Sequence, residues 1–242
     1  MKRKSRARAA SWRRPLRLFA WGAALLGCAV LALQLWYFAH VLWWSRFDPA
    51  STRFMRTELA RLRESDPQRE LRHRWVDYDR ISPNLKRAVI ASEDANFADH
   101  DGVDWDAIER ARERNRRRGR VVLGGSTITM QLAKNLFLSG ERSYLRKAQE
   151  LVIAYMIETV MTKRRILELY LNVAEWGVGV FGAEAGARYH YGVSAAQLGA
   201  WQAARMAAML PRPRYYDAHP DSPALARRAA IVARWMGGVD LP

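Results

Sequence analysis

Gly124-Gly125-Ser126-Thr127-Ile128-Thr129-Met130-Gln131-Leu132-Ala133-Lys134-Asn135 reads as a glycine loop that turns into a helix with one polar face. The glycines allow close backbone approach. Ser126 or Thr127 caps the helix, whose first amides favour an anion. Thr127, Gln131, Lys134 and Asn135 recur at i, i+4, i+7 and i+8, so they share a face. Such a face is ordinarily just the wet side of a helix, but the Gly-Gly opening and a single lysine among amides tilt it towards phosphate. It is not a P-loop, because the Gly-Lys-Ser/Thr order is missing.

Helical patterning extends to both sides of this segment. Upstream, Ser51–Glu64 reads as a short helix broken by Asp66-Pro67, and His73–Tyr78 as a short extended segment. Ser82 or Asn84 can cap a helix running to about Ser92, and Asp104–Arg118 reads as another. Downstream come Ser143–Met161, Lys163–Asn172, Gly179–Tyr191, Ser194–Met209 and Pro223–Met236. Runs of alternating β-branched residues are nearly absent, so the fold class is mainly α.

The helix ending near Ser92 leads into Ser92-Glu93-Asp94-Ala95-Asn96-Phe97-Ala98-Asp99-His100-Asp101-Gly102. Because Ala88-Val89-Ile90-Ala91 precede it, its first carboxylate leaves a buried helix end. Desolvation there raises a carboxyl pKa, as a general base near neutral pH requires. Adjacent helical residues point about 100° apart, so Glu93 and Asp94 cannot both face one substrate atom. A capped helix end with solvated acids fits the same residues.

Of the 242 residues, 40 are Lys or Arg against 24 Asp or Glu, a net charge of +16 that calls for an anionic partner. Half of the residues are hydrophobic, which excludes a disordered chain, and one cysteine excludes a disulfide framework or a cysteine zinc site. The first seventeen residues carry eight of the basic side chains and no acid, leaving +8 on the rest. That arm (1–17) runs into an apolar stretch (18–44) whose central 24 residues, Phe19–Leu42, contain no Asp, Glu, Lys or Arg. About 20 such residues span a bilayer, and tryptophans mark both ends. The stretch is too long for the apolar core of a cleaved signal peptide, about 7–15 residues. Basic residues favour the cytoplasmic side, which places residues after about Phe47 outside, and Cys28 falls within the span. A linker with the start of the domain (45–80) and one compact domain (81–242) complete the organisation.

Two further segments combine basic, acidic and apolar residues: Arg146-Lys147-Ala148-Gln149-Glu150 and Lys163-Arg164-Arg165-Ile166-Leu167-Glu168-Leu169-Tyr170-Leu171-Asn172. Alone, each reads as a surface ion pair or a structural helix. In order and spacing, however, the four segments resemble the family 51 glycosyltransferase domain that polymerises peptidoglycan from lipid II. That domain occurs in bifunctional penicillin-binding proteins and in monofunctional relatives. The resemblance covers about residues 75–220 and continues through Ala174-Glu175-Trp176-Gly177 and Gly182-Ala183-Glu184-Ala185 to Leu210-Pro211. Met130 stands where the family usually has the first of two glutamines. Helix geometry turns it away from the face of Gln131, Lys134 and Asn135. The run from Val173 to Phe181 looks most like the monofunctional subfamily, and no transpeptidase domain is expected.

The resemblance implies a lysozyme-like helical domain with a membrane-facing lobe, for which Arg110–Arg120 followed by Val121-Val122-Leu123 is suited. It implies an inverting reaction in which the 4-hydroxyl of one lipid II attacks the anomeric carbon of a growing glycan chain, releasing undecaprenyl pyrophosphate. Glu93 is then the base and Glu150 the second essential carboxylate. Gly125, Ser126, Thr127, Gln131, Lys134, Asn135, Arg146 and Lys147 bind substrate. Glu150 is also a candidate ligand for Mg²⁺ or Mn²⁺, with no organic cofactor expected. Expected partners are lipid II, the glycan chain, the membrane and other cell wall synthesis or division proteins, not nucleic acid. The expected location is the bacterial inner membrane, single-pass, with the N-terminus cytoplasmic and the catalytic domain periplasmic. A peptidoglycan-cleaving enzyme would need a key Glu but not these cations. A scaffold would not need to keep Glu93, Lys134, Arg146 and Glu150. A nucleic-acid binder explains neither the apolar span nor the motifs beyond it.

Overall fold

The computed structural model describes residues 4–119, 124–138 and 143–242, with side chains from residue 17 onward. The chain forms two compact units, Met1–Trp43 and Trp44–Pro242. The first is the bulk of α1 (Lys4–Trp44). Its Arg17–Trp44 portion has 28 residues, and its most apolar 18-residue window has a mean hydropathy of 2.0 with nothing buried, so it is long and apolar enough to cross a membrane. The backbone is helical from Lys4 through the described part of the basic arm, so the boundary at residue 17 is one of charge alone.

The second unit is mainly α. Its helices are α2 (Arg53–Arg63), α3 (Pro83–Glu93), α4 (Trp105–Arg118), α5 (Ile128–Phe137), α6 (Tyr144–Val160) and α7 (Lys163–Val173). Then follow α8 (Ala183–Tyr191), α9 (Ala200–Met209), α10 (Pro213–Ala218) and α11 (Pro223–Trp235). The early starts follow local capping chemistry. Thr52, Ser82, Asp104, Thr127, Ser143 and Thr162 each accept a hydrogen bond from a first-turn amide.

A small sheet was not expected. β1 (Arg72–His73) pairs parallel with β3 (Val180–Phe181), which pairs antiparallel with β2 (Glu175–Gly177). The helix expected over Gly179–Tyr191 therefore begins only at Ala183, after the chain has laid down β3 and turned at Gly182. The helix expected over Ser194–Met209 also divides, into a 3₁₀ turn at Ala195–Gln197 and α9. Two glutamines restart it: the Ser194 and Gly199 amides donate to the side-chain oxygens of Gln197 and Gln202, at 3.1 and 3.0 Å. α10 was not expected either; its Asp217 accepts from the Val178 amide at 2.9 Å and so ties it to the β2–β3 turn.

Packing places α9 against α3 and α11, and α5 against α2, α6 and α7. Trp176, Tyr170, Phe97 and Phe181 are the largest fully buried side chains among the described residues. The Arg110–Leu123 stretch is described only as far as Gly119; residues 120–123 lie outside the described residues.

Gly102 closes the loop between α3 and α4 at φ +87°, and a Cβ there would lie 2.8 Å from the Glu158 side chain. Its carbonyl accepts the Thr127 hydroxyl at 2.6 Å. Gly102→Ala should lower unfolding stability by about 1–3 kcal/mol, the scale of a forced backbone conformation. An unchanged denaturation midpoint would refute this.

Candidate active site

Glu93 is the last residue of α3, and the helix stops because Asp94 leaves helical geometry at φ −162° and ψ 75°. The two neighbouring acids therefore part. Asp94 is buried and accepts from His100 Nε2 at 2.9 Å and from the Ile128 amide at 3.0 Å, joining the end of α3 to the start of α5. Glu93 turns the other way and accepts from Gln131 Nε2 at 2.8 Å.

That arrangement also fills part of the α5 N-terminus from within the chain. The anion at the α5 N-terminus is Asp94, and the Thr127 hydroxyl is committed to Gly102 and to the Met130 amide. Gly125 is required by packing: a Cβ would lie 3.0 Å from Ile108 Cα on α4. Ser126 stays near the charges, accepting from Lys147 Nζ at 3.0 Å. Met130 packs with Val103 and Ala154 in the core, away from Gln131. Asn135 is buried.

The cations come from α5 and α6. Glu150 is buried and accepts from Arg146 Nη1 at 2.8 Å and from Lys147 Nζ at 2.5 Å. Lys134 interacts electrostatically with Glu93 and Glu150 alike. Burial pushes the Glu93 carboxyl above the ordinary range; the Gln131 hydrogen bond, the Arg228 charge, the Ser92 hydroxyl and Lys134 oppose the rise. Burial pushes the Lys134 ammonium below its ordinary range; Glu150 and Glu93 oppose this, while Arg146 and Lys147 add to it.

Two cavities frame the group. One, of about 290 Å³, is lined by Glu93, Asn96 and Gly124–Thr127. The other, of about 560 Å³, is lined by Lys134 and Arg146 together with Phe54, Glu175, Arg212 and Arg214. Sequence reasoning missed Arg212 and Arg214, because neither lies within the four charged motifs. Arg214 is held between two buried carboxylates, 2.7 Å from Glu58 and 2.8 Å from Glu175. It also missed Tyr170, whose hydroxyl donates to Gln131 Oε1 at 2.9 Å. The surrounding Lys163–Asn172 segment had looked structural by itself.

This donor set does not fit a divalent ion. Both oxygens of Glu150 carry a cationic partner, and among the described residues no group of three His, Cys, Asp or Glu side chains converges.

A carboxylate lifted by burial thus lies beside a lysine–arginine cluster. The Transglycosylase family profile matches residues 58–237, three-quarters of the chain. The chain belongs to the transglycosylase family. A relative from Janthinobacterium sp. (strain Marseille) is 58% identical over 226 residues, covering 93% of this chain and 98% of its own length. One from Bordetella pertussis is 65% identical over 219 residues, covering 89% of this chain and 90% of its own. One from Burkholderia multivorans is 56% identical over 228 residues, covering 94% and 93%. All three are named biosynthetic peptidoglycan transglycosylase. The transglycosylase profile takes in α3 to α11, so every lining residue named for the two cavities except Phe54 lies within the matched residues.

Proposed function

We propose that this transglycosylase polymerises lipid II into β-1,4-linked glycan strands with inversion, and that Glu93 is its general base. The observation that carries the reading is that base and cations line separate cavities, linked by Lys134, which feels the charge of both carboxylates. A transferase needs two such places, one for the attacking hydroxyl and one for the departing pyrophosphate. The acceptor 4-hydroxyl gives its proton to Glu93 as its oxygen bonds to the anomeric carbon of the donor sugar. The bond from that carbon to the pyrophosphate breaks with its electron pair. Lys134 and Arg146, with Lys147 behind them, neutralise the charge that leaves. Pyrophosphate is a good leaving group without protonation, so no second carboxylic acid is required, in contrast to glycoside hydrolysis. Gln131 orients Glu93, and Glu150 holds the two α6 cations in place.

The apolar α1 and the basic arm ahead of it support a single-pass inner-membrane anchor with the arm cytoplasmic and the domain periplasmic. Partners of this kind are the lipid-linked substrates and other cell wall synthesis proteins. The detergent-purified chain incubated with labelled lipid II should give long strands that lysozyme digests. Absence of polymer from folded protein, with and without added Mg²⁺, would overturn the reading.

The pH profile supplies a second check. Glu93 must be ionised and its carboxyl is raised, so activity should be lost on acidification at a pH above the ordinary carboxylate range. Lys134 must be charged and its ammonium is lowered, so activity should also fall on the alkaline side below the ordinary lysine range. A kcat/KM profile flat from pH 5 to pH 10 would contradict both assignments.

A further inference from the structure

We propose that Tyr170 is a positioning residue that sets the orientation of the Gln131 amide and through it the basicity of Glu93. The inference rests on Glu93 being the base. Three side chains form a line from the core of α7 to the cavity. The Tyr170 hydroxyl donates to Gln131 Oε1 at 2.9 Å, and Gln131 Nε2 donates to Glu93 Oε2 at 2.8 Å. A side-chain amide can present either its oxygen or its NH₂ to a neighbour, and a carboxylate accepts only from the second. The phenol at the far end pairs the amide oxygen in the orientation that the carboxylate needs.

Tyr170 is suited to that task. It is 1% exposed, held within α7 among Leu169, Leu171 and Val173, which are themselves buried. Burial and the nearby charges of Glu93 and Asp94 push its phenol well above the ordinary range, so across the working pH it remains a donor. Its donation to Oε1 satisfies the amide in the orientation that turns Nε2 to Glu93. Without the phenol, Oε1 loses its partner, and the amide is held less firmly with Nε2 towards the carboxylate. The ionised form of Glu93 then loses a hydrogen bond that opposes the effect of burial. Phenylalanine at 170 keeps the ring and its packing and removes only the hydroxyl.

The experiment measures kcat, KM and the pH profile of lipid II polymerisation for wild type, Tyr170→Phe, Gln131→Met and the double variant, with thermal midpoints alongside. Tyr170→Phe should lower kcat at pH 7 about 3- to 30-fold, the cost of a disordered buried hydrogen bond. It should leave KM close to wild type and move the acidic limb upward by at least half a pH unit. The limb is read relative to each variant's own plateau, so a lower yield of folded enzyme does not shift it. In the Gln131→Met background the phenol has nothing to orient, so adding Tyr170→Phe should change the limb no further.

A wild-type limb in Tyr170→Phe, an equal loss of rate at every pH, or additive limb shifts in the double variant would each overturn the proposal. So would a Tyr170→Phe protein that does not fold, which would make the hydroxyl purely structural. The base assignment fails by a separate sign: polymer formation by Glu93→Gln at wild-type rate. If Glu93→Gln is inactive and Tyr170→Phe has a wild-type profile, only the role of Tyr170 falls.

Discussion

Glu93→Gln should reduce the rate of glycan polymerisation by about 10²–10⁴-fold, the range for removing a general base, while the folded protein becomes no less stable. The two halves of that expectation come from one feature. Glu93 is desolvated, and its folded-state pKa is raised, so at neutral pH the fold works against its ionised form. A group with this sign contributes nothing to stability above its folded-state pKa. A neutral glutamine removes the desolvation cost and can still accept from Gln131, so the thermal midpoint should stay or rise. Lipid II binding, measured by retention on variant-loaded vesicles, should be unchanged. Simultaneous loss of binding, stability and rate would mean that Glu93 holds the fold instead of reacting.

Glu150→Gln should fail in the opposite way, losing both stability and rate. Glu150 is buried, with Arg146 and Lys147 on its two oxygens and Lys134 within reach of its charge. Removing the carboxylate leaves three cations facing one another. Breaking a buried pair from one side costs about 3–5 kcal/mol, and the lower end applies here because Lys147 is over a third exposed. The same change removes the largest influence that keeps Lys134 charged, so the alkaline limb of the pH profile should move to lower pH. Polymerisation at pH 7 should fall at least about 10²-fold through lost charge at the pyrophosphate. A variant that unfolds at the wild-type temperature and keeps its alkaline limb would remove Glu150 from the role given to it.

Much of the architecture was legible because it is written locally. Ser82, Asp104, Thr127, Ser143 and Thr162 cap helices through amides two or three residues away, and such short-range chemistry needs no knowledge of the fold. The apolar span of α1 was equally plain, since length and absence of charge are counted along the chain. Glu93, Lys134, Arg146 and Glu150 were found by the order of four motifs, not by the character of any one. The three-stranded sheet escaped notice because its strands have two or three residues, too few for a period to show.

The sequence by itself determined the helical class, the apolar N-terminal helix, the charge division and the identity of the residues that converge. The tertiary structure decided what each of those residues faces. Ile128 meets Asp94 across 34 positions, Gln131 meets Glu93 across 38 and Tyr170 meets Gln131 across 39. Those encounters gave the first amide of a helix start that looked ready for phosphate to the chain's own carboxylate. They also turned a tyrosine in a structural-looking helix into the group that orients Gln131 towards Glu93. The physical reason is range: capping and periodicity act within a turn or two, whereas desolvation and the partner of a buried polar group depend on which distant segment arrives beside it.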